Sequence, residues 1–248
     1  MNTATLPTRR DEAWRYGDLK ALERVWDRLD APERIDVAAG ERAGRVIDGL
    51  PAIDGVGVVD LDIHIGDGAR FDLFCLLSAA DYGRVNVKAT LGKGAHFEMG
   101  GAIIGSGEQT LEIVSEIVHA EPDATSNQVV RSVLAGQAVG SFLGKVHVMR
   151  HAQKTDAEQS VKAMLLDRTA TANAKPELEI YADDVKCAHG ATVGELDKSA
   201  LFYMASRGLP PEVARHLMLQ AFLADAFVAM DDSEAIDARA REALEALL

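Results

Sequence analysis

From about Gly55 to residue 185 the sequence repeats one local pattern: a short run of alternating apolar and polar residues, then glycine. In VVDLDIHIGDG, Val59, Leu61, Ile63 and Ile65 alternate with Asp60, Asp62 and His64. Successive side chains of a strand point to opposite faces, so this spacing predicts a strand with one buried face. Similar pieces follow: RFDLFCLL, RVNVKATL, AHFEMG, TLEIVSEIVHA, NQVVRSVLA, GKVHVM, SVKAMLL and ELEIYADDV. Gly66, Gly68, Gly83, Gly92, Gly94, Gly100, Gly101, Gly105 and Gly107 punctuate them. About a dozen short strands with almost no helical period restrict the core to a barrel, a sandwich or a β-helix. The tight six-residue repeat of left-handed β-helices is missing. An irregular β-helix of stacked short strands fits the pattern best, although periodicity alone leaves the sandwich open.

The flanks read differently. Residues 11–29, DEAWRYGDLKALERVWDRL, place Leu19, Leu22, Val25, Trp26 and Leu29 at helical spacing and predict a short helix. Residues 30–52 are polar and broken by Pro32, Gly40, Gly49 and Pro51, which suggests a linker or irregular cover. After the β region, Asp197 can cap a helix through LDKSALFYMASRG that stops at Gly208. Pro210 and Pro211 then suit the start of a second helix. That helix carries two apolar stripes. One holds Val213, Leu217, Ala221, Ala224 and Val228; the other holds Leu219, Phe222, Leu223, Phe227 and Met230. Two stripes imply burial on more than one side, against the β core or against a partner. Residues 232–248 predict a last amphipathic helix with Ile236, Ala240, Ala243, Leu244 and Leu247 on one face. The expected division is therefore 1–54, an N-terminal helix and linker; 55–196, a β-helix core; and 197–248, a C-terminal helical subdomain.

Composition narrows the function classes. A net charge of −13 repels phosphate, so neither nucleic acid nor an anionic membrane is an expected partner. No run approaches the length of a membrane span, and the opening MNTATLPTRRDEAWRYGDL has no apolar signal region. The two cysteines, Cys75 and Cys187, are too few for a disulfide framework and fit reduced thiols in the cytosol. With aromatics at 5%, the core must be aliphatic, and Cys75 in its apolar run reads as a small buried hydrophobe.

The stretch from Gly144 to Gly208 is the most specific in the chain. Its elements GKVHV, AQKTDAEQ, the Leu pair of AMLL, PELEIYADDVKCAHGATVGELD and ALFYMASRG resemble the shared core of the SufB/SufD family of iron–sulfur cluster assembly proteins. HAEPDATSNQVVRSVL upstream and ARHLMLQAFLADAF downstream extend the likeness, and EAWRYGDL near the start resembles the opening segment of the SufD branch. The single core cysteine also favours that branch. The resemblance implies a β-helix scaffold, not an enzyme. Such a scaffold pairs with a SufB-like paralogue and holds a SufC-like ABC ATPase through its C-terminal helices, here with Val213, Leu217 and Phe222 as interface candidates. It implies no stably bound cofactor, only a transient iron or iron–sulfur cluster shared with SufB.

KCAHG places Cys187 and His189 two apart, on one face of a strand. Thiolate and imidazole both ligate iron, but two ligands cannot close a site; a partner or sulfide must supply the rest. A packed cysteine beside a hydrogen-bonded histidine is the bland alternative. The resemblance adds that the position matching His189 is implicated in cluster assembly and that Cys187 lies close to it. Asp183, Asp184 and Lys186, like Lys154, Thr155, Asp156 and Gln159 of AQKTDAEQ, read as polar turns with hydrogen-bonded side chains. His64, His96, His119, His147, His151 and His216 show no ligand spacing. The sequence has no GxSxG, HExxH or CxxC, and no GxxxxGK phosphate loop, so this chain is not expected to be an ATPase itself; the resemblance implies that a SufC-like partner hydrolyses the ATP. Three competing readings are a SufB-like paralogue, a self-sufficient metal-binding homo-oligomer that pairs with its own copy, and a β-helix enzyme acting on sugars.

Overall fold

The computed structural model describes residues 5–247. Its core is a parallel β-solenoid in which the chain passes between two facing sheets. One sheet is formed by β1 (Glu33–Val37), β4 (Val56–Ile65), β6 (Tyr82–Leu91), β8 (Thr110–His119), β10 (Val139–Val148) and β12 (Thr171–Ile180) in that order. The short β3 (Ala52–Ile53) adds to it antiparallel against β4. The other sheet runs β2 (Arg42–Asp48), β5 (Arg70–Leu77), β7 (His96–Gly105), β9 (Thr125–Leu134), β11 (Asp156–Leu165) and β13 (Lys186–Gly194). Each pass through both sheets makes one rung, and each rung is in register with the next: Tyr82, Thr110, Val139 and Thr171 are successive partners.

The alternation in each strand does what period two requires. Leu61, Ile63 and Ile65 of β4 point inward with Val85, Val87, Ala89 and Leu91 of β6 and join one aliphatic core. A turn ladder stacks the rungs outside that core. The amide N–H groups of Gly40, Gly68, Gly94, Asp123 and Lys154 each donate to a carbonyl of the following rung, at 2.6–2.9 Å. All five have φ between 63° and 74°, the left-handed region that suits glycine and strains Lys154.

The solenoid reaches further toward the N-terminus than the linker reading of residues 30–52 allowed, since β1 and β2 lie there. As strands of the first rung they have a neighbour on one side only. Most of their residues stay exposed, and Glu33, Arg34, Asp36, Arg42 and Arg45 mask the apolar alternation. Charges of this kind also keep a sheet edge from pairing with another chain. The N-terminal helix is likewise shorter than expected. It is α1 (Leu19–Glu23), capped by the Asp18 carboxylate and flanked by 3-10 turns at Glu12–Trp14 and Trp26–Arg28.

This N-terminal strap covers the outer face of the first sheet. Beneath it Arg84 and Glu112 form a fully buried ion pair at 3.1 Å, and the Tyr82 hydroxyl donates to Glu112 at 2.8 Å. Gly17 lies so close that a Cβ there would come 2.9 Å from the Tyr82 oxygen. Lys175 of β12 reaches Glu12 at 2.5 Å and ties the strap to the last rung.

At the C-terminus, α2 (Lys198–Ser206) is capped by Asp197, and α3 (Pro211–Ala224) starts at its proline, as the sequence indicates. A 3-10 turn at Asp225–Phe227 and α4 (Glu234–Leu247) follow; residue 248, the end of the expected last helix, lies outside the described residues. Leu219, Leu223, Phe227, Ile236, Ala240 and Leu244 pack on Phe74, Leu76, Ala102, Ile104 and Val133, on the outer face of the second sheet. The buried Arg131 anchors this layer through Asp225 at 2.6 Å.

Candidate functional site

The solenoid ends on an open rung. Among the described residues β12 pairs only with β10, and β13 only with β11, so each presents an unpaired backbone edge. The inner face of this rung is far less covered than those behind it. Ile180 and Val193 are both more than a third exposed. Unlike the first rung, β13 carries few charges: after Lys186 it reads CAHGATVG, with small residues throughout.

Cys187 and His189 lie on β13 in register with Ala157 and Gln159 of β11. Alternation puts both on the inward row, as their spacing predicts. Their surroundings differ. Cys187 is half-buried against the aliphatic core, and burial pushes its thiol up from the ordinary cysteine value. The Ala157 backbone pulls the other way, while the Asp156 carboxylate adds to the rise. Cys187 in the free chain is therefore a thiol, and it becomes a ligand only when something displaces that proton. His189 is exposed at the mouth of the open end. Among the described residues no cluster of three or more His, Cys, Asp or Glu side chains could hold a metal. The pair thus offers two donors to something that arrives from outside.

Two features near the pair escaped the sequence reading. The first is Gln159. Most of AQKTDAEQ is the expected polar turn: Thr155 Oγ1 donates to the Ala152 carbonyl at 2.9 Å, and the Lys154 ammonium pairs with the Asp184 carboxylate. Gln159, however, is 1% exposed and points into the core, with neither carboxamide atom hydrogen-bonded. Its alternation with Ala157 and Val161 was the signal. Burying an unpartnered amide costs about 1–3 kcal/mol, so its retention among alanines and valines calls for a reason. The second feature is an outer cluster at the same end, where the His147 and Tyr181 rings lie 5.5 Å apart and Glu179 pairs with Lys145 and the Tyr181 hydroxyl.

The remaining candidates separate cleanly. Asp184 works in the turn ladder, its N–H donating to Gln153 Oε1 at 2.9 Å. Cys75 is fully buried, with its thiol pushed up to about 12 by desolvation. His119 is also fully buried and bonds Ser126 Oγ at 2.9 Å.

The two stripes of α3 and its following turn have different fates. Leu219, Leu223 and Phe227 are buried, with Phe222 and Met230 half-buried beside them. Every member of the other stripe, Val213, Leu217, Ala221, Ala224 and Val228, is exposed. The expected burial on both sides is therefore absent among the described residues, and α2 likewise buries none of its residues. Phe202 and Tyr203 of α2 are also exposed, at 76% and 58%. Leu217 also borders a groove of about 570 Å³ between α3 and α4. No helix among the described residues is long and apolar enough to cross a membrane.

Residues 54–222 match the family described as SUF system FeS cluster assembly, SufBD core domain. Over 144 residues the chain is 40% identical to the chloroplastic protein ABCI7 of Arabidopsis thaliana, covering 57% of this chain and 30% of that one. It is 38% identical over 114 residues to the iron–sulfur cluster assembly protein SufD of Escherichia coli, covering 46% and 27%. A SufBD family protein of Synechocystis is 35% identical over 170 residues, covering 68% and 38%. The matched segments thus span about a third of the relatives' own length. With the core match running from the second rung into α3, this chain belongs to the SufB/SufD family as a SufD-type member.

Proposed function

We propose that this chain is a scaffold subunit in SUF iron–sulfur cluster assembly, working in the cytosol, with the nascent cluster as cargo. The observation that carries the reading is the open last rung: within a SufBD core it leaves two strand edges unpaired and sets His189 at the mouth. A SufB-like paralogue closes that rung and brings thiolates of its own. His189 then supplies a neutral nitrogen donor to iron, or holds a partner thiolate in its reactive form. Cys187, a half-buried thiol in the free chain, plays the smaller part. A SufC-like ABC ATPase docks on the exposed stripe of α3 and on Phe202 and Tyr203 of α2, and hydrolyses the ATP.

The test replaces His189 by Ala in the assembled complex. The variant should keep the fold and both partners but lose most of the iron and acid-labile sulfide, while Cys187→Ser loses less. Wild-type cluster content in His189→Ala would refute the site. The ATPase surface is tested separately with Leu217→Glu and Val213→Glu, whose side chains are exposed. Phe222 is a poorer probe because it packs on the helical layer. Co-purification of the ATPase with the folded double variant would refute that surface.

A second reading has one observation in its favour. The unpaired edges of β12 and β13 suit a second copy of this chain equally well. A homodimer of the pure protein that binds iron without a paralogue would favour the self-sufficient assembly over the paired scaffold.

A further inference from the structure

The inner faces of the solenoid carry polar side chains at more than one level, and at one of them two carboxamides are left without partners. At the level of His189 the successive strands of the second sheet contribute Met99, Gln128, Gln159 and His189, each in register with the next. The levels on either side are apolar or small on β11, with Ala157 before Gln159 and Val161 after it. On the facing sheet the same level holds Ser115 and Gly144, in register with each other. Ser115 Oγ donates to Gln128 Oε1 at 2.6 Å, which leaves Gln128 Nε2 without a partner. Gln159 is left with both its oxygen and its nitrogen. Gly144 makes the room: a Cβ there would come 2.6 Å from Gln159 Nε2 and closer still to the Phe142 ring.

We infer that Gln159 is a positioning residue for His189. This rests on the reading of His189 as the donor of the open end. In this structure the two side chains are not hydrogen-bonded, but they are register partners on strands about 4.8 Å apart, so a side-chain rotation can bring the Gln159 carboxamide onto the ring. Its Oε1 accepts from one ring N–H and turns the other ring nitrogen, bare of hydrogen, toward the mouth. Imidazole ligands are commonly held this way, by an acceptor on the nitrogen that does not face the metal. Gln128 Nε2 lies one rung further in and can donate to the same oxygen, fixing which way the carboxamide faces. The fold thus keeps an uncompensated amide in an aliphatic core because its partner is the ring of the terminal rung.

The test uses the full chain with ¹⁵N-labelled histidine. The variants are Gln159→Met, which keeps the length and removes the acceptor, and Gln159→Asn, which keeps the amide and shortens its reach. At pH 8 the wild-type ring nitrogens of His189 should report one tautomer in excess of the solvent-exposed His151. Both variants should shift His189 to the His151 pattern. Melting of Gln159→Met should occur at the wild-type temperature or above, since the carboxamide makes no hydrogen bond to the rest of the core. If His189 keeps its wild-type nitrogen shifts in both variants, the inference is overturned. It is equally overturned if Gln159→Met lowers the melting temperature by several degrees, because the carboxamide would then serve the fold. The readout needs no cluster, so it decides the role of Gln159 even if His189→Ala assembles clusters normally.

Discussion

The guanidinium carbon of Arg84 lies 3.7 Å from the centre of the Trp14 ring, so the buried Arg84–Glu112 pair is roofed by the indole. A buried ion pair is marginal by itself and becomes costly once water reaches one partner but not the other. Trp14→Ala removes both the cation–π contact and the roof, and should lower stability by about 2–3 kcal/mol. Gly17→Ala pushes a methyl against the Tyr82 hydroxyl and should cost roughly 1–2 kcal/mol. Urea unfolding of the two variants measures both, and an unchanged midpoint in each would mean that the strap contributes nothing to the core.

The turn ladder makes a prediction of opposite signs at equivalent positions. Lys154 and Gly94 share the same left-handed conformation, at φ 63° and 64°. Lys154→Gly relieves the strain and forfeits only an exposed ion pair with Asp184, so stability should rise slightly. Gly94→Lys adds the strain with open space around it and should cost about 1 kcal/mol. Thermal melts that move both variants in the same direction would contradict this account of the turn.

His119 gives the fold a pH dependence. Desolvation lowers its pKa to about 4, below the value of about 6.5 expected in the unfolded chain. Between those values the unfolded state binds more protons, so the contribution is complete above pH 6.5 and is lost as pH falls toward 4. The full effect is about 3 kcal/mol. His119→Leu strands Ser126 Oγ and lowers stability at every pH, but it should flatten the slope from pH 7 to pH 5. A slope identical to wild type in chemical denaturation at the two pH values would place the titration elsewhere.

Much of the solenoid was legible because inward rows are apolar and strands alternate, as in VVDLDIHI. The rungs themselves were not. The repeat is a whole rung of two strands and two turns, and turns of unequal length blur the period. β1 and β2 were missed because an outermost rung buries one side only, and its charges read as linker. The pairing of Cys187 with His189 followed from strand geometry, but their unequal burial depends on where the solenoid stops. Gln159 sat inside a motif whose other polar members do form a turn, and three-dimensional register was needed to move it from that turn to the core behind His189.

The strap contact also dictates an order of events. Each rung touches only its neighbours, so the solenoid can grow strand by strand as the chain emerges from the ribosome. Glu12 and Lys175 are 163 residues apart, and their meeting must wait until the last rung of the first sheet exists. Closing so long a loop is slow compared with adding a rung. The N-terminal strap therefore completes its docking only after the rungs it covers. Both tryptophans of the protein, Trp14 and Trp26, lie in that segment, so their fluorescence should lag behind the β circular-dichroism signal when the chain refolds.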